Sequence, residues 1–186
     1  MTIPTRRRLL MTLPVAGAGL AGFGCWKMLS SMQDGSFDPR AIHREITGTK
    51  VPKFSLPGLD GQKDGFDAET LRKSAKPVLV NFFASWCIPC VTEMAALRSI
   101  APQIPLWGIA YKDKPDDVRH FITRDGSPYA RVALDEDGMT AINWGVSGVP
   151  ESFLILPGGR IAWHGASALD ETLFRREILP LATATP

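Results

Sequence analysis

Pro77-Val78-Leu79-Val80-Asn81-Phe82-Phe83-Ala84-Ser85-Trp86-Cys87-Ile88-Pro89-Cys90-Val91-Thr92-Glu93-Met94 is the stretch that decides the fold. Val78 to Ala84 is a short apolar run with turn signals on both sides, the composition of a buried strand. From Pro89 the spacing becomes helical, with Met94, Leu97 and Ile100 on one face. Pro89 is tolerated in a first helical turn, where its missing N–H has no intrahelical partner to lose. Cys87 and Cys90 lie at C-x-x-C spacing where strand gives way to helix, and they can close a small disulfide ring. The first sulfur sits where N-terminal N–H groups and the helix dipole favour an anion. That position lowers its pKa and supplies the thiolate needed for thiol–disulfide exchange. Cys87 therefore reads as the attacking thiol, and Cys90, one turn later and more buried, as the resolving one. The bland alternative is a zinc half-site. Zinc collects four ligands from paired Cys or Cys/His sets, whereas His43, His120 and His164 are scattered singly around one pair.

Outward from this stretch, strand and helix signals alternate. Val51-Pro52-Lys53-Phe54-Ser55-Leu56 reads as extended chain ending in a turn at Asp60-Gly61. Asp67 is placed to cap a short helix beginning near Phe66. Leu106–Tyr111 reads as a strand, and Pro115 to Thr123 as a helix with Val118, Phe121 and Ile122 on one face. Tyr129–Leu134 follows as a strand and Met139–Trp144 as a helical turn or two. Ser152–Leu156 and Arg160–His164 are two strands joined at Pro157-Gly158-Gly159, a hairpin signal. Asp170–Leu179 reads as a final helix capped by Asp170 and stopped near Pro180. This order predicts an α/β domain, a central mixed β-sheet flanked by helices on both faces, over residues 50–183.

The chain has 186 residues, enough for one such domain plus an extension. Its net charge of +2 is unevenly placed: Arg6, Arg7, Arg8 and Lys27 supply four cations within the first thirty residues, so the remainder carries −2. Nothing in that remainder reads as a nucleic-acid footprint. Three cysteines are too few for a disulfide scaffold, and Cys25 has no partner left in the chain. Residues 1–29 have the plan of a targeting element, three arginines before an apolar run from Leu9 to about Trp26. The run is close to the lower limit of ~17–25 residues for a spanning helix. With no clean small-residue cleavage site, it reads as an uncleaved N-terminal membrane helix, a cleaved export signal being the alternative. The arginines before it keep the N-terminus cytoplasmic and place the bulk of the chain outside. Gly22-Phe23-Gly24-Cys25 is a poor lipoprotein box. Residues 30–49 are polar and small and read as a linker.

Together these blocks resemble the CcmG/DsbE family of thioredoxin-like, membrane-anchored thiol–disulfide oxidoreductases of cytochrome c maturation. The resemblance rests on the N-terminal element, Val51-Pro52-Lys53-Phe54, Trp86-Cys87-Ile88-Pro89-Cys90 with Glu93, Tyr111-Lys112-Asp113, Gly126-Ser127-Pro128-Tyr129, and above all Gly145-Val146-Ser147-Gly148-Val149-Pro150-Glu151-Ser152-Phe153-Leu154-Ile155. It spans about residues 50–180. The family departs from plain thioredoxin by a central insertion, which falls near residues 112–140 here. Phe83 stands where many members have Trp, Val91 where Arg is frequent, and Ser152 where Thr is usual.

The resemblance implies that the Val149-Pro150 bond is cis, with Pro150 beside the dithiol and Val149 offering its backbone to an extended substrate. Trp86 is expected to shield Cys87 and pack against substrate. Glu93 and Glu151 are expected to approach the dithiol, Glu151 on the substrate side and Glu93 as the proton relay for the resolving thiol. Asn81 stands where ordinary thioredoxins bury an Asp, and a neutral amide cannot serve as that base, which turns attention to Glu93. Trp107, Trp144 and Trp163 read as core or rim packing and His164 as a strand-surface residue. The implied activity is reduction of disulfides in apocytochrome c or a CcmH-like thiol protein, with a DsbD- or CcdA-like membrane reductant as donor. The site is the bacterial periplasm, and the redox-active Cys87–Cys90 pair takes the place of any cofactor. A general or copper-site thiol reductase of the TlpA/ResA type is the alternative, and a non-catalytic apocytochrome-binding chaperone a lesser one.

Overall fold

The computed structural model describes residues 46–184 apart from 60 and 125, together with isolated helical positions between residues 17 and 30. By its contacts the chain divides into Met1–Ile42 and His43–Pro186. Most of the expected anchor and of the linker, with Cys25 and His43, lies outside the described residues. Among the described residues no helix is long and apolar enough to cross a membrane.

Seven strands among the described residues form one sheet: β1 (Ser55–Gly58), β2 (Gly61–Asp67), β3 (Val78–Phe83), β4 (Leu106–Tyr111), β5 (Arg131–Asp135), β6 (Glu151–Leu156) and β7 (Arg160–Gly165). Their order is β2-β1-β5-β4-β3-β6-β7. β3, β4 and β5 pair in parallel, and β6 runs antiparallel to β3 and β7. β3 lies inside this sheet, and each of its residues is buried. That is why the deciding stretch reads as an unbroken apolar run rather than an alternating one. Leu79 and Phe83 point into one layer and Val78, Val80 and Phe82 into the other.

The helices are α1 (Ala68–Lys73), α2 (Ile88–Ile100), α3 (Pro115–Arg124), α4 (Met139–Asn143) and α5, built from three contiguous pieces, Glu171–Leu173, Phe174–Ile178 and Leu179–Thr183. α2, α3 and α5 cover the Leu79/Phe83 face through Met94, Leu97, Ile100, Val118, Phe121, Phe174 and Ile178. α1 and α4 contribute Leu71 and Ala141 to the other face, where Trp144 is enclosed by Phe54, Phe82 and Phe153. Each of the Val, Leu, Ile, Met and Phe side chains so withdrawn from water stabilises the fold by about 1.5–3 kcal/mol. Gly108 on β4 is a packing requirement: a Cβ there would lie 2.7 Å from Phe83 and 3.0 Å from Tyr129. These two rings stack 4.8 Å apart.

The mixed, doubly covered sheet agrees with the sequence expectation; three local readings change. β2 has no strand-like pattern, and pairing with β1 creates it. Asp67 caps α1 as expected, accepting a bond from the Thr70 N–H at 2.7 Å, but β2 runs up to that cap. α5 continues past Pro180. A π-helical turn, Phe174–Ile178, precedes the proline, and the Leu179 N–H bonds back five residues to the Phe174 carbonyl. That wider turn lets a helix tolerate a residue that lacks an N–H and crowds the preceding turn.

Candidate active site

Three chain segments converge beyond the C-terminal end of β3: the turn leading into α2, the turn after β4, and the loop before β6. The first begins with a Cys87 N–H donating to the Ala84 carbonyl at 3.2 Å. Cys87 is the N-cap of α2, and its Sγ accepts from the Cys90 N–H at 3.2 Å. Cys87 and Cys90 are joined, S–S 2.12 Å and Cα–Cα 5.3 Å, and both are buried, Cys90 the more so. The first turn of α2 carries no acidic residue, so its N-terminal dipole acts on Cys87 without a competing carboxylate there. An N–H aimed at a sulfur stabilises the thiolate over the thiol.

The second segment holds this turn from outside. Asp113 is buried, and its carboxylate accepts from the Ser85 N–H at 2.5 Å, the Ser85 Oγ at 3.0 Å and the Lys114 N–H at 2.9 Å. The Lys112 carbonyl accepts from Trp86 Nε1 at 3.3 Å. Lys112 itself has φ +46°, a left-handed backbone that turns the chain at the end of β4. Trp86 is 58% exposed and leans toward Tyr111, so its ring stands on the rim.

The third segment contains the cis Val149-Pro150 bond. The Val149 carbonyl oxygen lies 3.5 Å from Cys87 Sγ. Pro150 is buried.

Beneath the dithiol, on the α2 face of the sheet, lies a closed polar cluster. Asn81 Nδ2 donates to Glu93 Oε1 at 3.1 Å and lies 3.0 Å from Ser152 Oγ; Asn81 Oδ1 accepts from the Tyr129 hydroxyl at 2.7 Å. The other Glu93 oxygen accepts from the Leu169 N–H at 2.9 Å. Glu93 is 2% exposed. Burial drives its pKa up, and the Leu169 and Asn81 hydrogen bonds only partly offset this, leaving it at about 7. Glu93 sits three residues after Cys90, on the same side of the helix. A carboxyl titrating at neutrality, one turn from the resolving sulfur, has the properties of an acid–base group. Burial, with the Glu93 charge adding to it, pushes the Tyr129 phenol well above its ordinary range.

Glu151 departs from the expectation. Successive residues on β6 face opposite sides: Ser152 joins the Asn81 cluster, whereas Glu151 and Phe153 turn to the other layer. The Glu151 carboxylate does not flank the sulfurs and is not open to a substrate. Its Oε1 accepts from the Ser147 N–H at 2.8 Å, the Ser147 Oγ at 2.6 Å and the Gly148 N–H at 3.2 Å. Its Oε2 meets His164 Nε2 at 2.8 Å. Burial pushes this carboxyl up, but the bonds from His164 and Ser147 outweigh it and leave it below its ordinary range. His164 is correspondingly no surface residue: its side chain is 3% exposed and stacks on Phe153, centroids 4.3 Å apart. Sequence reading missed this pair and the grip of Asp113 on Ser85; the Tyr111-Lys112-Asp113 block was the one available signal. Among the described residues no three His, Cys, Asp or Glu side chains gather where a metal ion could be held.

A mixed sheet presenting a helix-capping cysteine pair beside a cis proline defines a thioredoxin-like thiol–disulfide oxidoreductase. Comparison with known proteins makes this specific. Residues 47–164 match the model of the AhpC/TSA family. The chain is 35% identical over 178 residues to thiol:disulfide interchange protein HelX of Rhodobacter capsulatus, covering 95% of this chain and 97% of that protein. It is 32% identical over 177 residues to thiol:disulfide interchange protein DsbE of Escherichia coli K12, covering 95% and 94%. Among solved structures, a DsbE-type interchange protein from Chlorobium tepidum superposes with TM-score 0.61 at 26% identity, covering 73% of this chain and 96% of that one. The chain belongs to the DsbE/HelX group of thiol:disulfide interchange proteins.

Proposed function

We propose that the protein is a periplasmic reductase of apocytochrome c, or of a CcmH-like partner thiol protein, held at the inner membrane by residues 1–29. The reduced Cys87 thiolate attacks one sulfur of a partner disulfide. A Cys87–partner disulfide forms, the partner bond breaks, and its other sulfur leaves as thiolate. Cys90 then loses its proton to Glu93 and attacks Cys87 Sγ. The Cys87–Cys90 disulfide forms, and the second partner sulfur is released. Two electrons pass to the partner, leaving this chain in the oxidised form seen here. A DsbD- or CcdA-like membrane donor restores the dithiol. Trp86 and Val149 form the substrate-facing rim, and the buried cis Pro150 presents the Val149 backbone to an extended segment, strand to strand.

The observation that carries this reading is the position of Cys87 Sγ, between the Cys90 N–H at 3.2 Å and the Val149 carbonyl at 3.5 Å. Dedicated reduction is chemically reasonable because haem attachment needs free thiols in an oxidising compartment. The test uses an oxidised peptide carrying a C-x-x-C-H haem-attachment motif. The reduced protein should reduce it, Cys90→Ser should stop at a mixed disulfide through Cys87, and Cys87→Ser should do neither. Oxidation of the reduced peptide by the disulfide form, with no reaction in the other direction, would overturn the proposal. Preference for a copper-site dithiol protein over the haem-motif peptide would favour a TlpA-type role instead.

A further inference from the structure

The loop Ser147–Val149 is the wall against which Cys87 reacts, and its position is fixed from the far face of the sheet. One oxygen of Glu151 collects the Ser147 N–H, the Ser147 hydroxyl and the Gly148 N–H, all within 3.2 Å. The other oxygen is held by His164 at 2.8 Å, and the imidazole is clamped face to face on Phe153. Both side chains are nearly sealed from solvent, at 3% and 2% exposure. A carboxylate with this many donors is fixed in place, and charge-assisted hydrogen bonds are about twice as strong as neutral ones. Two peptides further along, at the cis bond to Pro150, lies the Val149 carbonyl.

We propose that His164 is a positioning residue for Cys87, acting through Glu151 and the Ser147–Gly148 amides to hold the Val149 carbonyl against the attacking sulfur. That 3.5 Å distance is to the disulfide sulfur; once Cys87 is reduced, a carbonyl oxygen held there accepts from the thiol and repels the thiolate. It therefore opposes the Cys90 N–H and the α2 dipole, which favour the thiolate. The reactivity of Cys87 is the balance of these two fixed partners, and the His164–Glu151 pair sets one side of it. The other titratable groups on the segments that meet at Cys87 are Cys90 and Glu93 on its own helix and Tyr111, Lys112, Asp113 and Lys114 at the end of β4; all are common to the variants below.

This inference rests on the reading of Cys87 as the attacking thiol. The test is the pH profile of iodoacetamide alkylation of the reduced full chain, with the labelled cysteine identified by mass spectrometry. The variants are His164→Leu, His164→Gln and Ser147→Ala. His164→Leu removes the bond to Glu151, whereas glutamine can still donate to its Oε2. Ser147 is exposed, so its alanine variant removes one bond to Glu151 without disturbing the core. In His164→Leu the Cys87 profile should move about one unit toward acid. At pH below the thiol pKa the thiolate fraction then rises about tenfold while its intrinsic nucleophilicity falls about threefold, so alkylation runs about threefold faster. Ser147→Ala should shift the same way by less, and His164→Gln should restore the wild-type profile. Label on Cys87 with superimposable profiles in wild type, His164→Leu and Ser147→Ala would overturn this inference alone. Label on Cys90 in the wild type would overturn the attacking role of Cys87 and this inference with it. If His164→Leu does not fold, an unmoved Ser147→Ala profile is sufficient to refute it.

Discussion

Glu93→Gln separates the electrostatic cost of the buried carboxyl from its part in the reaction. In the oxidised protein the two thiols do not titrate, so stability against pH can be compared directly. Burial raises the Glu93 pKa from 4.5 to about 7. A folded-state pKa above the unfolded one means that the native state binds the extra proton. No penalty is present below about pH 4.5; it accumulates as pH rises to about 7 and is complete above that. At about 1.4 kcal/mol per unit, the ionised carboxyl destabilises the fold by roughly 3 kcal/mol at pH 8. Glutamine removes that penalty. Both groups facing the carboxylate, Asn81 Nδ2 and the Leu169 N–H, are donors, so the new amide NH₂ meets one of them and forfeits about 1 kcal/mol. Glu93→Gln is therefore expected to be about 2 kcal/mol more stable than the wild type at pH 8 and level or slightly less stable at pH 5. Urea unfolding of the oxidised proteins at the two pH values measures this. A stability difference independent of pH between 5 and 8 would refute the assignment of a neutral-range titration to Glu93. In the same variant, release of product from the Cys87 mixed disulfide should slow on the order of 10²-fold, within the usual range for loss of a general acid or base.

Two further outcomes follow from the packing. Asp113→Ala leaves the Ser85 N–H and hydroxyl without their acceptor, which should cost about 1.5–3 kcal/mol and loosen the turn into Cys87; denaturant unfolding, together with the Trp86 emission difference between oxidised and reduced protein, reads both effects. Gly108→Ala places a methyl 2.7 Å from the Phe83 ring, and calorimetry should show a loss of about 1–3 kcal/mol from overpacking.

Much of this protein was legible in the order of its residues because local physics already commits them. β3 reads from its apolar run, the α2 cap from a cysteine followed by Ile88-Pro89, and the α1 and α5 starts from Asp67 and Asp170, whose carboxylates bond the turn ahead of them. The dithiol is local for the same reason: C-x-x-C at a helix start brings two sulfurs together within one turn. β2 was not legible, since its residues extend only by pairing with β1. The passage of α5 through Pro180 was hidden as well, because a π turn is a response to packing and proline together.

Tertiary structure alone decided what the acidic residues do. Glu93 and Glu151 look alike in sequence, each near a redox-active element. The parity of β6 sends Glu151 to the far face, where His164 waits on a neighbouring strand, while α2 lowers Glu93 into a cluster whose members come from β3, β6, the loop before β5 and the chain before α5. The sequence by itself determined a cysteine pair on a helix cap within an α/β sheet. The sheet, by choosing which face each side chain reaches and how much water remains there, decided that one carboxyl titrates near neutrality and the other stays ionised as a clamp.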